Sequence, residues 1–207
     1  MALVKYNNNS ISAISTAGQL ASGSMVLIKE QTASSSATVD FVDGSGGVVL
    51  DSTYPIYKFE FINMHPATDG VYLNFQTSTN GGSSYGVTLT STFFRAVHNE
   101  ADDTYALEYR TARDLAQSTS FQNLTESTGN DNDQSCNGTL TLFAPSSTTF
   151  VKHWLSTNNT YHNNDYSMNV NSAGYFNTTS AINGVRFQMS SGNIDSGTIK
   201  LYGIKDS

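Results

Sequence analysis

The sequence predicts an all-β fold, a single β-sandwich of jelly-roll type with about ten strands behind an extended N-terminal arm. Three observations lead there. Runs of apolar residues alternate one-on, one-off with polar ones, the pattern of strands whose side chains point to opposite faces. Charged residues make up only 13% of the chain, while Ser, Thr, Asn and Gly supply roughly two residues in five, so strands and loops are favoured over helices. Clusters of turn formers also recur between the runs, with no longer-range repeat of the kind that marks propellers or solenoids. A closed barrel is the alternative architecture.

Residues 1–23 read as the arm, since only Val4, Ile11, Ile14 and Leu20 offer anything to bury. The sandwich domain then runs over 24–207. Met25–Glu30 and Ala37–Val42 form a first pair of strands joined by the polar turn Gln31–Ser36, and Val48–Leu50 is a short strand after the Gly44–Gly47 loop. Ile56–Met64 is the strongest strand, with Tyr57, Phe59 and Phe61 on one face and Lys58 and Glu60 on the other. Val71–Thr77 is expected to pair with it across His65–Gly70, turning Val71, Leu73 and Phe75 inward, and Tyr85–Thr92 follows. Residues 93–136 resist reading, with one short helix within Ala101–Leu115 or a strand at Tyr105–Tyr109 both open, and a polar loop at Thr125–Gln134. Order returns at Leu140–Phe143, Thr149–Leu155, Met168–Val170 and Gly174–Asn177. The end of the chain reads as a hairpin: Val185, Phe187 and Met189, a turn-rich loop at Ser191–Gly197, then Ile199 and Leu201. The chain stops three residues after Ile204, so the last strand is expected to close the sheet with no tail. The predicted core is Tyr57, Phe59, Phe61, Leu73, Phe75, Leu140, Leu142, Val185, Phe187, Ile199 and Leu201.

Composition excludes some functions. The net charge is −7 and the ten basic residues are scattered, which argues against a nucleic-acid partner. No stretch approaches the length of a membrane-spanning helix, and the N-terminus lacks a signal-type apolar run, so synthesis and retention in a cytosol, or release by lysis, is expected. Cys136 is the only cysteine and sits among Asp131, Asp133 and polar neighbours, a setting that disfavours a thiolate.

Chemical motifs are sparse. His65 and Asp69 would suit a metal or an acid–base pair, but Pro66 and Asp69–Gly70 also explain the segment as a turn. Asp40, Asp43 and Asp51 near the glycine-rich loop would supply oxygens to Ca²⁺, without matching any known loop spacing. Glu60, Glu108 and Glu126 are the carboxylates a glycosidase could draw on, and nothing in their positions selects a pair. No nucleophile elbow or phosphate loop is present. No cofactor is expected, and no catalytic role. The segment 154–166 is read as a long loop mixing Trp154, Tyr161, His162, Asp165 and Tyr166 with asparagines. Aromatic faces that stack on sugars and amides that bond hydroxyls make it the candidate ligand-contact loop.

The ending Phe187-x-Met-Ser-Ser-Gly-Asn-Ile194-x-Ser-Gly-Thr-Ile-Lys-Leu-Tyr-Gly203, with Phe61–Gly70 and Asn137–His153, resembles a group of small structural proteins of marine tailed bacteriophages. The resemblance runs from about Ser24 to Ile204. It implies a particle component: a capsid decoration protein or a subunit of a fibre or tail appendage, made in the host cytoplasm and located in the virion. It also implies self-association, with a trimer expected from symmetric sites on a particle, and contacts with other virion proteins. A carbohydrate-binding receptor-recognition module, touching a host surface glycan, is the alternative.

Overall fold

The computed structural model describes residues 24–205; the arm predicted for 1–23 lies outside them. Twelve strands are found among the described residues, and every pairing is antiparallel. They are β1 (Met25–Ser36), β2 (Val39–Val42), β3 (Ile56–Pro66), β4 (Leu73–Ser78), β5 (Leu89–Asn99), β6 (Tyr105–Tyr109), β7 (Gln122–Asn123), β8 (Cys136–Phe143), β9 (Lys152–His162), β10 (Tyr166–Phe176), β11 (Gly184–Met189) and β12 (Ile194–Ile204). An eight-stranded sheet runs β1-β12-β3-β8-β9-β10-β5-β6 and a four-stranded sheet runs β2-β11-β4-β7.

The connectivity explains both sheets. With the hairpins β5–β6 and β9–β10 set aside, the order is 1-12-3-8 over 2-11-4-7. The strand pairs β1/β2, β3/β4, β7/β8 and β11/β12 are each divided between the sheets, which is the winding of a jelly roll. The hairpin β5–β6 is inserted between β4 and β7, and β9–β10 between β8 and β11. Both insertions extend only the larger sheet.

This winding corrects three pairings expected from sequence. Gln31–Ser36 is no turn but the second half of β1, which stays paired with β12 from Met25↔Ile204 to Ser36↔Ile194, with one register shift between Leu27 and Lys29. β2 instead pairs with β11. β3 lies between β12 and β8, and β4 lies in the other sheet, so His65–Gly70 crosses the sandwich instead of closing a hairpin. The terminal hairpin is likewise absent. Val185 and Phe187 lie in the small sheet opposite Phe41, Thr77, Val39 and Phe75, while Leu201 lies in the large sheet between Phe59 and Lys29. Sequence alternation reveals which face is buried, and two inward faces meet across a sandwich as readily as two strands meet side by side. Val48 and Leu50 are buried without forming a strand.

All eleven predicted core residues are buried. Phe187 is their hub: its ring lies 5.1 Å from Phe59, 5.1 Å from Phe61 and 6.2 Å from Phe41, in edge-to-face geometry. Beyond β8 the interior changes character. A small second cluster, Phe93, Met168 and Val170, sits under β5 and β10, and the inner positions of β9 beyond Trp154 are Ser156, Asn158 and Thr160.

Those polar side chains face the irregular segment between β6 and β8. Asn158 Nδ2 donates to the Leu124 carbonyl at 3.0 Å, and Gln76 Nε2 donates to the carbonyls of Thr119 and Ser120. Gln122 accepts from Ser91 Oγ at 2.5 Å and donates to the Arg113 carbonyl. A segment with little ladder of its own must satisfy its backbone by side chains, and these buried amides do so.

Candidate functional site

The segment read as a ligand-contact loop is strand β9, a three-residue turn at 163–165 and the start of β10. Its residues are divided between two faces of the large sheet. Trp154 points inward with none of its surface exposed, edge-on to Phe75 at 5.0 Å. Its cross-strand neighbour is Gly174, where a Cβ would lie 2.8 Å from the indole, so the glycine makes room for the ring. Trp154 therefore belongs to the core and is removed from the contact set. Tyr161 lies at the far end of β9 on the opposite, outer face.

The remaining residues cluster around the β9–β10 turn. Tyr161 donates its hydroxyl to Glu100 Oε1 at 3.1 Å, and Asp165 Oδ1 is 3.4 Å away. The hydrogen bond to Glu100 pushes the phenol up to about 12. His162 and Tyr166 stand edge-to-face with centroids 5.2 Å apart. His162 Nδ1 accepts from the Asn164 amide at 3.1 Å, which leaves the ring proton on Nε2. Partial burial, then the Arg95 charge, lowers the His162 pKa. Asp165 is exposed with φ 60°, the left-handed position of the turn.

Register places further groups beside Tyr161 that the sequence did not single out. Across the outer face, Tyr161 pairs with Ser167, Ser167 with His98, and His98 with Tyr105. The next row is Asn159, Asn169, Ala96 and Leu107. A groove of about 460 Å³ opens here, lined by Tyr161, Asn159, Ser167, His98, Glu100 and Asp102 among others. His98 Nε2 lies 3.0 Å from Asp102 Oδ1, and both are exposed. The arrangement offers the rings of Tyr161 and Tyr166, amides, hydroxyls and carboxylates to a polar ligand. The signal in sequence was the one-on, one-off series His153, Leu155, Thr157, Asn159 and Tyr161, a strand whose apolar content is too low to stand out.

On the inner face of the same four strands lies a charge network. Glu126, almost fully buried, accepts from Arg95 Nη1 at 2.9 Å, Arg110 Nη2 at 2.9 Å and Arg113 Nε at 3.3 Å. Glu108 accepts from Arg95 Nη2 at 3.1 Å and Arg110 Nη1 at 3.3 Å. Two of the three carboxylates considered for sugar hydrolysis are thus brought together, with Arg95 and Arg110 bridging them. Guanidinium donors occupy both Glu126 oxygens, and the network fastens the irregular segment to β5 and β6. Glu60 is elsewhere, paired with Lys58 at 3.0 Å.

The other candidates each have a local partner. His65 Nδ1 donates to the Gln134 carbonyl at 2.8 Å, while Asp69 accepts from the Asn130 amide and Asn163 Nδ2. Asp40 forms a two-point pair with Arg186 at 2.6 and 2.8 Å, Asp43 accepts from the Leu50 amide, and Asp51 accepts from the Thr53 amide; the Thr53 side chain first, then that amide, lower the Asp51 pKa. Cys136 is buried against the Met64 carbonyl, and burial pushes its thiol up to about 12. Among the described residues no group of three His, Cys, Asp or Glu side chains could hold a metal ion, and no helix is long and apolar enough to cross a membrane.

No protein-family model, curated protein or solved structure matches the chain.

Proposed function

We propose that this protein is a non-catalytic structural subunit of a tailed-phage particle, a capsid decoration protein or a subunit of a fibre or tail appendage. The sequence resemblance gives the class. The observation that carries the assembly part is an apolar face at one end of the large sheet. Tyr105, Leu107 and Tyr109 of β6 are 78%, 77% and 52% exposed, and Phe94 of β5, the cross-strand neighbour of Tyr109, is 44% exposed. A contiguous group of this kind marks a contact with another protein. The jelly roll is compatible with the role without implying it. The test is biochemical: particles purified from a lysate of infected cells should contain this chain in many copies, in a repeating position visible in a density map of the particle. Its absence from purified particles would overturn the reading.

A second reading is favoured by the groove around Tyr161. In a receptor-recognition module that groove would hold a host surface glycan. The ring of Tyr161 would stack on a sugar, with Asn159, Ser167 and Glu100 bonding hydroxyls. A glycan array probed with the full chain should then give hits that Tyr161→Ala loses while its thermal midpoint is nearly unchanged. A blank array would remove this reading and leave the first one standing.

A further inference from the structure

We propose that β6 pairs with β6 of a second copy, antiparallel about a two-fold axis at Leu107, joining two large sheets edge to edge. This deepens the assembly reading by naming one contact, and it rests on the geometry of β6 rather than on the particle.

The backbone supplies the first argument. At the two ends of the β5–β6 pairing, the Arg110 amide donates to the Phe93 carbonyl at 2.9 Å and the Asn99 amide donates to the Thr104 carbonyl at 3.1 Å. In an antiparallel ladder the bonded positions alternate, so residues 104, 106, 108 and 110 face β5. The N–H and C=O groups of Tyr105, Leu107 and Tyr109 therefore point away from the sheet, at its edge. These are the same three residues whose side chains stand exposed on the outer face.

The sequence of the strand supplies the second. Tyr-Ala-Leu-Glu-Tyr is self-complementary about its centre. A two-fold axis at Leu107 places Leu107 against Leu107, Tyr105 against Tyr109, and Ala106 against Glu108. About six backbone hydrogen bonds form, because the outward-facing residues exchange them in pairs. The apolar side chains of both copies become one stripe on one face. The only charged residue, Glu108, meets alanine and is already held by Arg95 and Arg110.

The other edge of the same sheet supplies the third. β1 carries the guards that proteins place on open edges: Lys29 and Glu30, and a break in register between Leu27 and Lys29. β6 has no lysine, no proline and no register break. Its one charge, Glu108, is already neutralised by Arg95 and Arg110, so this edge is less guarded than β1 and carries the apolar outer face that a paired edge needs.

The test uses the full chain. Sedimentation velocity at concentrations on the order of 100 µM should give an even-numbered oligomer for the natural protein. Leu107→Lys, which sets two like charges at the axis, should halve its mass and, in protein too dilute to pair, leave the melting temperature unchanged. Leu107→Cys supplies an independent readout, because paired Cα atoms at this position are about 5.5 Å apart, within disulfide reach. Mild oxidation should convert it to a covalent dimer, whereas Phe150→Cys, equally exposed but remote from β6, should stay largely uncrosslinked. A monomeric natural protein overturns the pairing, whether residues 1–23 or a different protein covers β6. An unchanged mass for Leu107→Lys, or no more crosslinking at 107 than at 150, overturns it as well. Recovery of the chain in purified particles is a separate result, so failure of the pairing and failure of the particle reading are told apart.

Discussion

The two halves of the large sheet are built on different interiors. Strands β1, β12, β3 and β8 face the small sheet across aromatic and aliphatic side chains, with Phe41, Phe59 and Phe61 each in edge-to-face contact with Phe187. Strands β9, β10, β5 and β6 add Trp154, Phe176 and Leu89 to that core at one end, and elsewhere face an irregular segment across Ser, Asn, Thr, Gln and a buried carboxylate, with Phe93, Met168 and Val170 as a separate small apolar nucleus. The first half is held by burial, which is non-directional. The second is held by hydrogen bonds and ion pairs, which fix geometry and tolerate loss poorly. The groove and the exposed apolar edge both lie on the second half, where the interior is less apolar and the added hairpins carry new surface.

The largest effect should separate the two interiors. Phe59→Ala removes a ring at the centre of the aromatic cluster and should destabilise the protein by about 3–5 kcal/mol in denaturant titration. Phe93→Ala, in a cluster of only a few apolar side chains, should be milder by about 1–2 kcal/mol. Equal losses would mean that the outer half is as tightly packed as the inner, and a loss below about 1 kcal/mol for Phe59→Ala would displace it from the core.

The same contrast explains what sequence could convey. Inner positions of β3 are Tyr57, Phe59 and Phe61, set against Lys58 and Glu60, and the strand was evident from them alone. Inner positions of β9 run Trp154, Ser156, Asn158, Thr160, set against His153, Leu155, Thr157 and Asn159. The period of two is present, but it is written in polar residues on both faces, so the strand resembled a loop and Trp154 resembled a surface aromatic. Its burial depends on a glycine twenty residues away, Gly174, which no local pattern reveals. The arrangement of strands was recoverable only as a class. Val185, Phe187, Ile199 and Leu201 were rightly placed inside, yet which sheet each joins follows from the winding. The Glu126 network was beyond reach for a similar reason, since Arg95, Arg110 and Arg113 look like ordinary surface arginines until the chain folds back.

That network gives the next effect. Glu126→Gln leaves Arg95, Arg110 and Arg113 without their shared carboxylate. Because the arginines keep some solvent contact, the loss should be about 2–3 kcal/mol, below the range for a fully buried pair. Glu30→Gln, which removes the exposed partner of Lys200, should change stability by less than about 0.5 kcal/mol. If the two variants behave alike, the outer half is not held by its charges, and the comparison between halves loses its electrostatic side.

The smallest effect concerns His162, at the boundary between the network and the turn. Partial burial and the nearby Arg95 charge depress its pKa in the folded protein, with Glu126 and Asp69 opposing. The folded state therefore holds the ring neutral at a pH where the unfolded chain, with its ordinary pKa of about 6.5, takes up a proton. Stability from this group is complete above about pH 6.5 and is lost as pH falls from there toward the lower folded value. The loss should stay under about 1 kcal/mol because the ring is only half-buried. His162→Gln should remove that slope, so the stability difference between it and the natural protein, measured from pH 7.5 down to 5, should shift in favour of the variant as the pH falls. A constant difference over that range would mean that the ring meets protons freely, and that the polar half of the sheet is wetter at this end than its hydrogen bonds indicate.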